Sequence, residues 1–89
     1  MAYDAFRRRV LMFGGGYGSS VAFGDTWEWD GVDWIQHSVS PSPSARWGHA
    51  LAFDDRRGRV VLFGGFHAGE LYADVWEWDG AAWEQILPD

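Results

Sequence analysis

The stretch DTWEWDGVDWIQ at residues 25–36 occurs again as DVWEWDGAAWEQ at residues 74–85, an offset of 49 residues. Upstream, AYDAFRRRVLMFGG (2–15) matches AFDDRRGRVVLFGG (52–65) with an offset of 50 residues. The offset changes in the segment after each double glycine, where an insertion costs little if that segment is a loop. A period near fifty residues is the signature of a stacked or radial repeat, so the chain consists of two copies of one unit.

The pattern in each unit predicts four antiparallel strands and no helix. In the second unit, GHALAF (48–53) alternates small and larger residues, which is the period of a strand. The next strand, RVVLF (59–63), is apolar on both faces, so we expect it to be covered from both sides. DVWEW (74–78) places its tryptophans on one face and its valine and glutamate on the other. An Asp-Gly turn then leads to a fourth strand, WEQIL (83–87).

The connections fall at the two ends of these units. Arginine clusters at residues 7–9 and 56–59 lie between apolar runs, which predicts solvated hairpin turns. The loops after the second strands are longer and rich in glycine, GGGYGSSVAFGD (14–25) and GGFHAGELYAD (64–74). SVSPSPSARWGH (38–49) joins the units, and its two prolines keep it extended and outside either sheet.

The succession RWGHALAFD, RVVLFGG and DVWEWDG, followed by a further tryptophan, resembles the kelch repeat, and is most similar to its bacterial variety with WEWDG. The resemblance covers nearly the whole chain, twice over. It implies an all-β fold in which each unit is a four-stranded antiparallel propeller blade with its first strand nearest the central axis. It implies blades at 1–37 and 48–89 with a linker at 38–47. The motif residues are Gly14, Gly15, Trp27, Trp29, Trp34, Gly64, Gly65, Trp76, Trp78 and Trp83.

Two blades cannot close a propeller, which usually has four to eight. Two large apolar faces would be left bare, and exposed patches of that size predict association. The first unit also begins part-way through its first strand. We therefore expect a segment, excised or engineered, that completes a closed propeller by homo-oligomerisation through one repeated heterologous interface. Three copies would give six blades and four would give eight; we favour the trimer because six blades are common in the family.

Composition argues against several classes of partner. The net charge of −6 disfavours nucleic acid and anionic membranes. The chain has no cysteine, and His37, His49 and His67 lack the paired spacing of a zinc site. GGGYG (14–18) is followed by neither a helix pattern nor Lys-Ser/Thr, so its glycines predict positive φ and close packing instead of a nucleotide site. We expect neither a cofactor nor a metal.

Isolated acidic residues and one histidine give weak signals for chemistry. Asp30 and Asp79 are explained by Asp-Gly turns better than by a calcium site. Glu28 and Glu77 lie mid-strand between tryptophans; two carboxylates facing one bond could hydrolyse a glycoside, but these belong to separate units. We predict that each bonds a nearby arginine or backbone group. We predict that His49 is a satisfied structural imidazole, with a place in an axial binding site as the alternative.

The resemblance leaves two other roles open. Kelch propellers often hold proteins or carbohydrates with the loops that follow their second strands and with the linkers between blades. By position, the candidate contact residues are Tyr17, Phe23, Arg46, Trp47, Phe66, His67, Glu70 and Tyr72. Kelch-type oxidases and isomerases share only the fold, and the chain lacks the cysteine that a Tyr–Cys cofactor requires. The sequence therefore predicts a non-catalytic scaffold whose first partner is another copy of itself.

Overall fold

The computed structural model describes residues 1–17, 21–67 and 69–86. Within these residues the fold is all-β, and no helix in them is long and apolar enough to cross a membrane. The strands are β1 (Ala2–Asp4), β2 (Arg9–Phe13), β3 (Gly16–Tyr17), β4 (Val21–Ala22), β5 (Thr26–Trp29), β6 (Trp34–His37), β7 (Ala50–Asp54), β8 (Arg59–Phe63), β9 (Phe66–His67), β10 (Glu70–Leu71), β11 (Val75–Trp78) and β12 (Trp83–Ile86).

The main strands form two four-stranded antiparallel sheets with the same order and register. The first sheet has the order β1-β2-β5-β6, and the second has the order β7-β8-β11-β12. In the first sheet Trp29 pairs with both Val10 and Trp34. In the second sheet Trp78 pairs in the same way with Val60 and Trp83. The prediction of two four-stranded antiparallel units is confirmed.

Strand bounds differ from the prediction at two places. The strand predicted at 48–53 spans Ala50–Asp54, because Gly48 has a φ of 72°, which is incompatible with extended backbone. The third strand of this unit begins at Val75, one residue later than predicted, and the Asp74 carboxylate before it accepts a hydrogen bond from the Trp76 indole at 2.9 Å. The fourth strand ends at Ile86, and residue 87 of its predicted span lies outside the described residues.

The described parts of the long loops contain short strands that the sequence did not indicate. Each contains a two-residue antiparallel ladder, β3 with β4 and β9 with β10. The linker lies outside both four-stranded sheets, as its prolines predicted. It joins the second loop through a single bridge between Trp47 and Phe66, whose backbones exchange hydrogen bonds of 3.0 and 2.8 Å.

The arginine clusters lie in hairpin turns, as predicted, except for Arg9 and Arg59, which begin β2 and β8. Oδ1 of Asp4 accepts hydrogen bonds from the backbone of residues 6 and 7, and Oδ1 of Asp54 accepts them from residues 56 and 57. Each turn then has one residue in the left-handed region, which is Gly58 (φ 68°) in the second sheet and Arg8 (φ 56°) in the first. Only glycine adopts that conformation without steric cost, so the first turn is the more strained copy.

The core lies between the two sheets. Its buried members are Leu11, Phe13, Val60, Leu62, Trp76, Trp78 and Trp83. Alternate residues of β8, such as Val60 and Leu62, point into this core, while Phe63 on the opposite face is 52% exposed. The expectation that β8 is covered from both sides is therefore wrong for the single chain, which has one sheet to pack against it and not two.

Candidate interaction faces

Each sheet has two chemically different faces, since directly paired residues of antiparallel strands lie on the same side. We call the face with three tryptophans the indole face and the opposite one the carboxylate face. The indole face consists of Val10, Met12, Trp27, Trp29 and Trp34 in the first sheet and of Val60, Leu62, Trp76, Trp78 and Trp83 in the second. The carboxylate face consists of Leu11, Phe13, Thr26, Glu28 and His37 in the first sheet and of Val61, Phe63, Val75, Glu77 and Ile86 in the second.

The two sheets meet through unlike faces. The indole face of the second sheet packs on the carboxylate face of the first, and we call this contact the internal junction. Two indoles donate across it, Trp78 Nε1 to Glu28 Oε2 at 3.2 Å and Trp83 Nε1 to Thr26 Oγ1 at 3.0 Å. The Trp83 ring also meets Phe13 edge-on, with centroids 5.5 Å apart. These contacts combine aromatic packing with satisfied buried donors, which fixes the register of one sheet on the other.

The turns extend the internal junction at its arginine end. Arg7 donates to Oδ2 of Asp4, which is buried, and to the carbonyl oxygen of Gly58 in the other sheet, both at 2.7 Å. Phe6 packs edge-on against Phe53 with centroids 5.4 Å apart. A Cβ at position 58 would lie 2.6 Å from the Phe6 ring, so glycine is required there for close approach as well as for its φ.

The indole face of the first sheet has no such cover. Trp34 is 42% exposed, whereas its repeat counterpart Trp83 is 2% exposed. Two shallow cavities lie on this face, one of about 210 Å³ lined by Met1, Val10, Trp29 and Trp34, the other of about 260 Å³ lined by Met12, Trp27 and Trp34. The indoles of Trp29 and Trp34 pack against each other, but neither donates a hydrogen bond within the described part of the chain.

The carboxylate face of the second sheet is also uncovered. Phe63 is 52% exposed, whereas its counterpart Phe13 is 2% exposed. Glu77 is nevertheless buried, because Arg57 lies over it and donates to both carboxylate oxygens at 2.5 and 2.7 Å. Arg59 lies 3.5 Å from the same carboxylate. The prediction of an arginine partner is thus confirmed for Glu77.

The same prediction is wrong for Glu28, whose carboxylate bonds neither an arginine nor a backbone group in the part of the chain that the structure describes. Its Oε1 lies 2.8 Å from Nε2 of His37, and its Oε2 accepts the indole of Trp78. The difference arises because Glu28 lies inside the internal junction, where a tryptophan from the other sheet replaces the arginine. The two carboxylates lie in separate sheets and do not face a common bond.

Arg46 is not the exposed contact residue that its loop position indicated. It is 1% exposed, and its guanidinium donates to Asp74 at 2.6 and 3.0 Å and to the Gly64 carbonyl at 3.1 Å. The guanidinium also lies 4.3 Å from the centre of the Tyr72 ring. Its backbone nitrogen donates to the carbonyl of Phe23 in the other loop. Arg46 therefore ties the linker to both loops, and its hydrogen bonds are the leading cause of the lowered pKa of Asp74.

The other loop candidates lie at the same end of the molecule. Trp47 stacks on Phe66 with centroids 5.3 Å apart, and the Phe66 ring remains partly exposed. His67 and Glu70 pair in the small β9–β10 ladder. The backbone N–H of Phe23 donates to the carbonyl of Gly15, and that of Tyr72 donates to the carbonyl of Gly65. Tyr17 belongs to β3 by its backbone.

The double glycines behave as the sequence predicted. Gly14, Gly15, Gly64 and Gly65 all have positive φ. A Cβ at position 14 would lie 2.7 Å from the carbonyl oxygen of Arg46, so this glycine also permits close approach of the linker.

His49 lies between the double glycines, outside β7. Its ring meets Phe13 edge-on, with centroids 5.7 Å apart. Its Nδ1 is buried and has no partner in the described residues, so the prediction of a fully satisfied imidazole is wrong. Burial is the main cause of a pKa below the ordinary 6.5, which keeps the ring neutral at pH 7.

The aspartates do not form a metal site in the described residues. Asp30 and Asp79 each accept two backbone hydrogen bonds within their Asp-Gly turns, as predicted. Backbone bonds from residues 33 and 32 lower the pKa of Asp30. Asp25 and Asp74 accept the indoles of Trp27 and Trp76 at 2.8 and 2.9 Å.

No protein-family model matches the chain, and no curated protein matches it significantly. The sequence analysis did not predict that unlike faces of the two sheets pack together. A residue-by-residue alignment of the two units would have indicated it. That alignment places Glu28 on Glu77 and Trp29 on Trp78. Because side chains alternate along a strand, this alignment also predicts that the tryptophans lie on one face of each sheet and the glutamate on the opposite face.

Proposed function

We propose that the chain is a non-catalytic, two-blade segment of a kelch-type propeller that closes into a ring by head-to-tail association of identical copies. One observation carries the proposal. The two open faces are the repeat counterparts of the two faces that already pack together at the internal junction. A second copy can therefore place its carboxylate face on the open indole face and reproduce the contact that the two sheets of one chain already make.

The counterparts specify the contacts expected between copies. Trp78 donates to Glu28 inside the chain, so Trp29 is expected to donate to Glu77 of the neighbouring copy. Phe13 packs edge-on against Trp83, so Phe63 is expected to pack against Trp34, in the cavities beside that ring. This arrangement would cover the exposed ring of Phe63 and satisfy one of the two indoles that lack an acceptor.

A heterologous contact of this kind generates either a closed ring or an open filament. Closure is favoured when the rotation per copy divides a full turn, and propellers of six or eight blades meet this condition with three or four copies. We retain the trimer as the expected state, because six blades are common in the family that the sequence resembles.

Native mass measured by light scattering across a concentration series tests the proposal. A mass of three or four chains that stays constant as concentration rises supports closure and fixes the blade number. A monomer at all concentrations, or a mass that rises without limit, would contradict it.

A matched pair of variants tests which surface is responsible. Phe63→Glu places a charge on the open carboxylate face and should abolish association while the chain stays folded. Val32→Glu changes another apolar residue, which lies in a turn on neither face and is 75% exposed, and it should leave the native mass unchanged. Equal effects of the two variants would show that the faces are not the site of association.

Binding of a protein or carbohydrate by the loop end is a second candidate function. It is favoured by the Phe66 ring, which is partly exposed and stacked on Trp47. Aromatic rings held by backbone pairing are suitable contact anchors. Phe66→Ala should then abolish retention on a carbohydrate or peptide array without changing native mass, and an array on which the unmodified chain retains nothing would remove this candidate.

A further inference from the structure

The two strand-centre glutamates have different partners although they are repeat counterparts. Glu28 is covered by Trp78 from the other sheet, and Arg7 of its own sheet is bonded elsewhere. Glu77 is covered instead by Arg57, the counterpart of Arg7. The partners differ because Glu28 lies inside the internal junction, whereas Glu77 lies on a face that no other sheet covers.

Arg7 shows where such an arginine goes when a junction forms. It donates to the carboxylate of Asp4 and reaches across to the carbonyl oxygen of residue 58 in the other sheet. Arg57 already has the equivalent acceptor nearby, with its Nη1 3.9 Å from Oδ2 of Asp54. The residue equivalent to 58 is Arg8, whose carbonyl would be supplied by the neighbouring copy.

Building on the proposed ring, we infer that Arg57 is a displaceable cover that must leave Glu77 before a neighbouring copy can dock. Its release exchanges the two hydrogen bonds between Arg57 and Glu77 for three new ones. Arg57 turns to Asp54 and to the carbonyl of residue 8 of the neighbour, and Glu77 then accepts the indole of Trp29. The Arg57 side chain is 53% exposed and can move without disturbing the core. In the free chain Arg57 supplies the hydrogen bonds to the buried carboxylate, which otherwise has only the Arg59 guanidinium at 3.5 Å.

A pair of half-blocked chains isolates a single junction for kinetic measurement. One chain carries Phe63→Glu and offers only its indole face; the other carries Trp29→Glu and offers only its carboxylate face. Immobilising the first on a biosensor and flowing the second over it gives association and dissociation rates for one junction. Arg57→Gln or Glu77→Gln is then introduced into the second chain.

Both substitutions should raise the association rate about fivefold, the upper range for ion pairs at a protein surface, because the Arg57 end of this pair is exposed although Glu77 is buried. Arg57→Gln should also raise the dissociation rate, since its bond to the neighbouring carbonyl is lost. Glu77→Gln retains an acceptor for the indole and should leave dissociation nearly unchanged. The matched control is Arg57→Gln in the first chain, where the arginine lies away from the junction and should have no effect on either rate.

The outcomes separate the two proposals. Absence of binding between the half-blocked chains with Arg57 intact, together with a monomeric unmodified chain, would refute the ring and this inference with it. Binding whose association rate is the same with and without Arg57 would overturn the inference alone. If Glu77→Gln fails to fold, Arg57→Gln and its control still decide the question, because the Arg57 side chain is half exposed and Arg59 still lies 3.5 Å from the Glu77 carboxylate when Arg57 is replaced.

Discussion

Replacing Val75 with threonine should strengthen the proposed association between copies. The substitution supplies a hydrogen-bond acceptor for a tryptophan indole, which the internal junction has and the proposed junction lacks. At the internal junction, Trp83 Nε1 donates to Thr26 Oγ1 at 3.0 Å. The counterparts at the proposed junction are Trp34 and Val75, and valine cannot accept the bond. Threonine has nearly the same shape as valine and an equal preference for strands, so the substitution adds an oxygen with little other change.

The size of the effect follows from the hydrogen bond gained. A satisfied hydrogen bond contributes about 1 kcal/mol net, and leaving the indole of Trp34 buried without an acceptor costs about 1–3 kcal/mol. We expect about 1 kcal/mol per junction, or about 3 kcal/mol for a ring with three junctions, which corresponds to roughly a hundredfold smaller dissociation constant of the trimer. Because that constant scales with the square of concentration, the midpoint of assembly should fall about tenfold.

Sedimentation equilibrium of the unmodified chain and of Val75→Thr measures the midpoint directly. Repeating the comparison in a Trp34→Phe background removes the donor, and the gain from threonine should then vanish. A midpoint unchanged by Val75→Thr would refute the residue correspondence between the two junctions. So would a gain that persists without the indole of Trp34.

Three further predictions concern the folded chain itself and are measured by urea unfolding of dilute protein. Arg8→Gly should raise the free energy of unfolding by about 1 kcal/mol, because it relieves the left-handed strain that Gly58 avoids, while Arg8→Ala should not. Thr26→Val should lower it by about 1–3 kcal/mol, because the buried Trp83 indole loses its acceptor. The pKa of Asp74 is lowered below the ordinary 3.8, first by hydrogen bonds from Arg46, so its stabilisation is present above that value and lost as pH falls through the lowered pKa. Asp74→Asn should accordingly weaken the chain at pH 7 and flatten its loss of stability in acid; an unchanged acid profile would show that the pair contributes nothing.

The sheets could be predicted from the sequence because their signals are local. Alternation along 59–63, the Asp-Gly turns and the repeat offsets specify strands, turns and strand order without reference to distant contacts. The start of β7 was predicted two residues too early. Gly48 has a positive φ and lies against the Phe66 ring, a contact that no short-range pattern predicts.

The roles of individual side chains were harder to predict because they depend on which sheet covers which face. Glu28 and Glu77 occupy identical sequence surroundings, WEW, yet one bonds an indole and the other an arginine. Arg46 follows a serine- and proline-rich stretch that resembles an exposed loop, and its burial results from Asp74, which lies 28 residues away. Such pairings join positions far apart in the chain, so they cannot be predicted from periodicity or composition.

The internal junction and the proposed junction between copies use counterpart residues, but they are not equally strong. The internal one has Thr26 and His37 where the other has Val75 and Ile86, so it contains polar bonds to Trp83 and Glu28 that its counterpart cannot form. Its two sheets are also joined by a short linker, which gives an effective concentration in the millimolar range. The internal junction should therefore form during folding, and association should follow as a separate, weaker step. On this reasoning, dilution dissociates the ring into folded two-sheet chains, whose near-ultraviolet circular dichroism should retain the buried Trp78 and Trp83 signal after the mass has fallen to one chain. Loss of that signal together with the mass would mean instead that both junctions are needed for either to form.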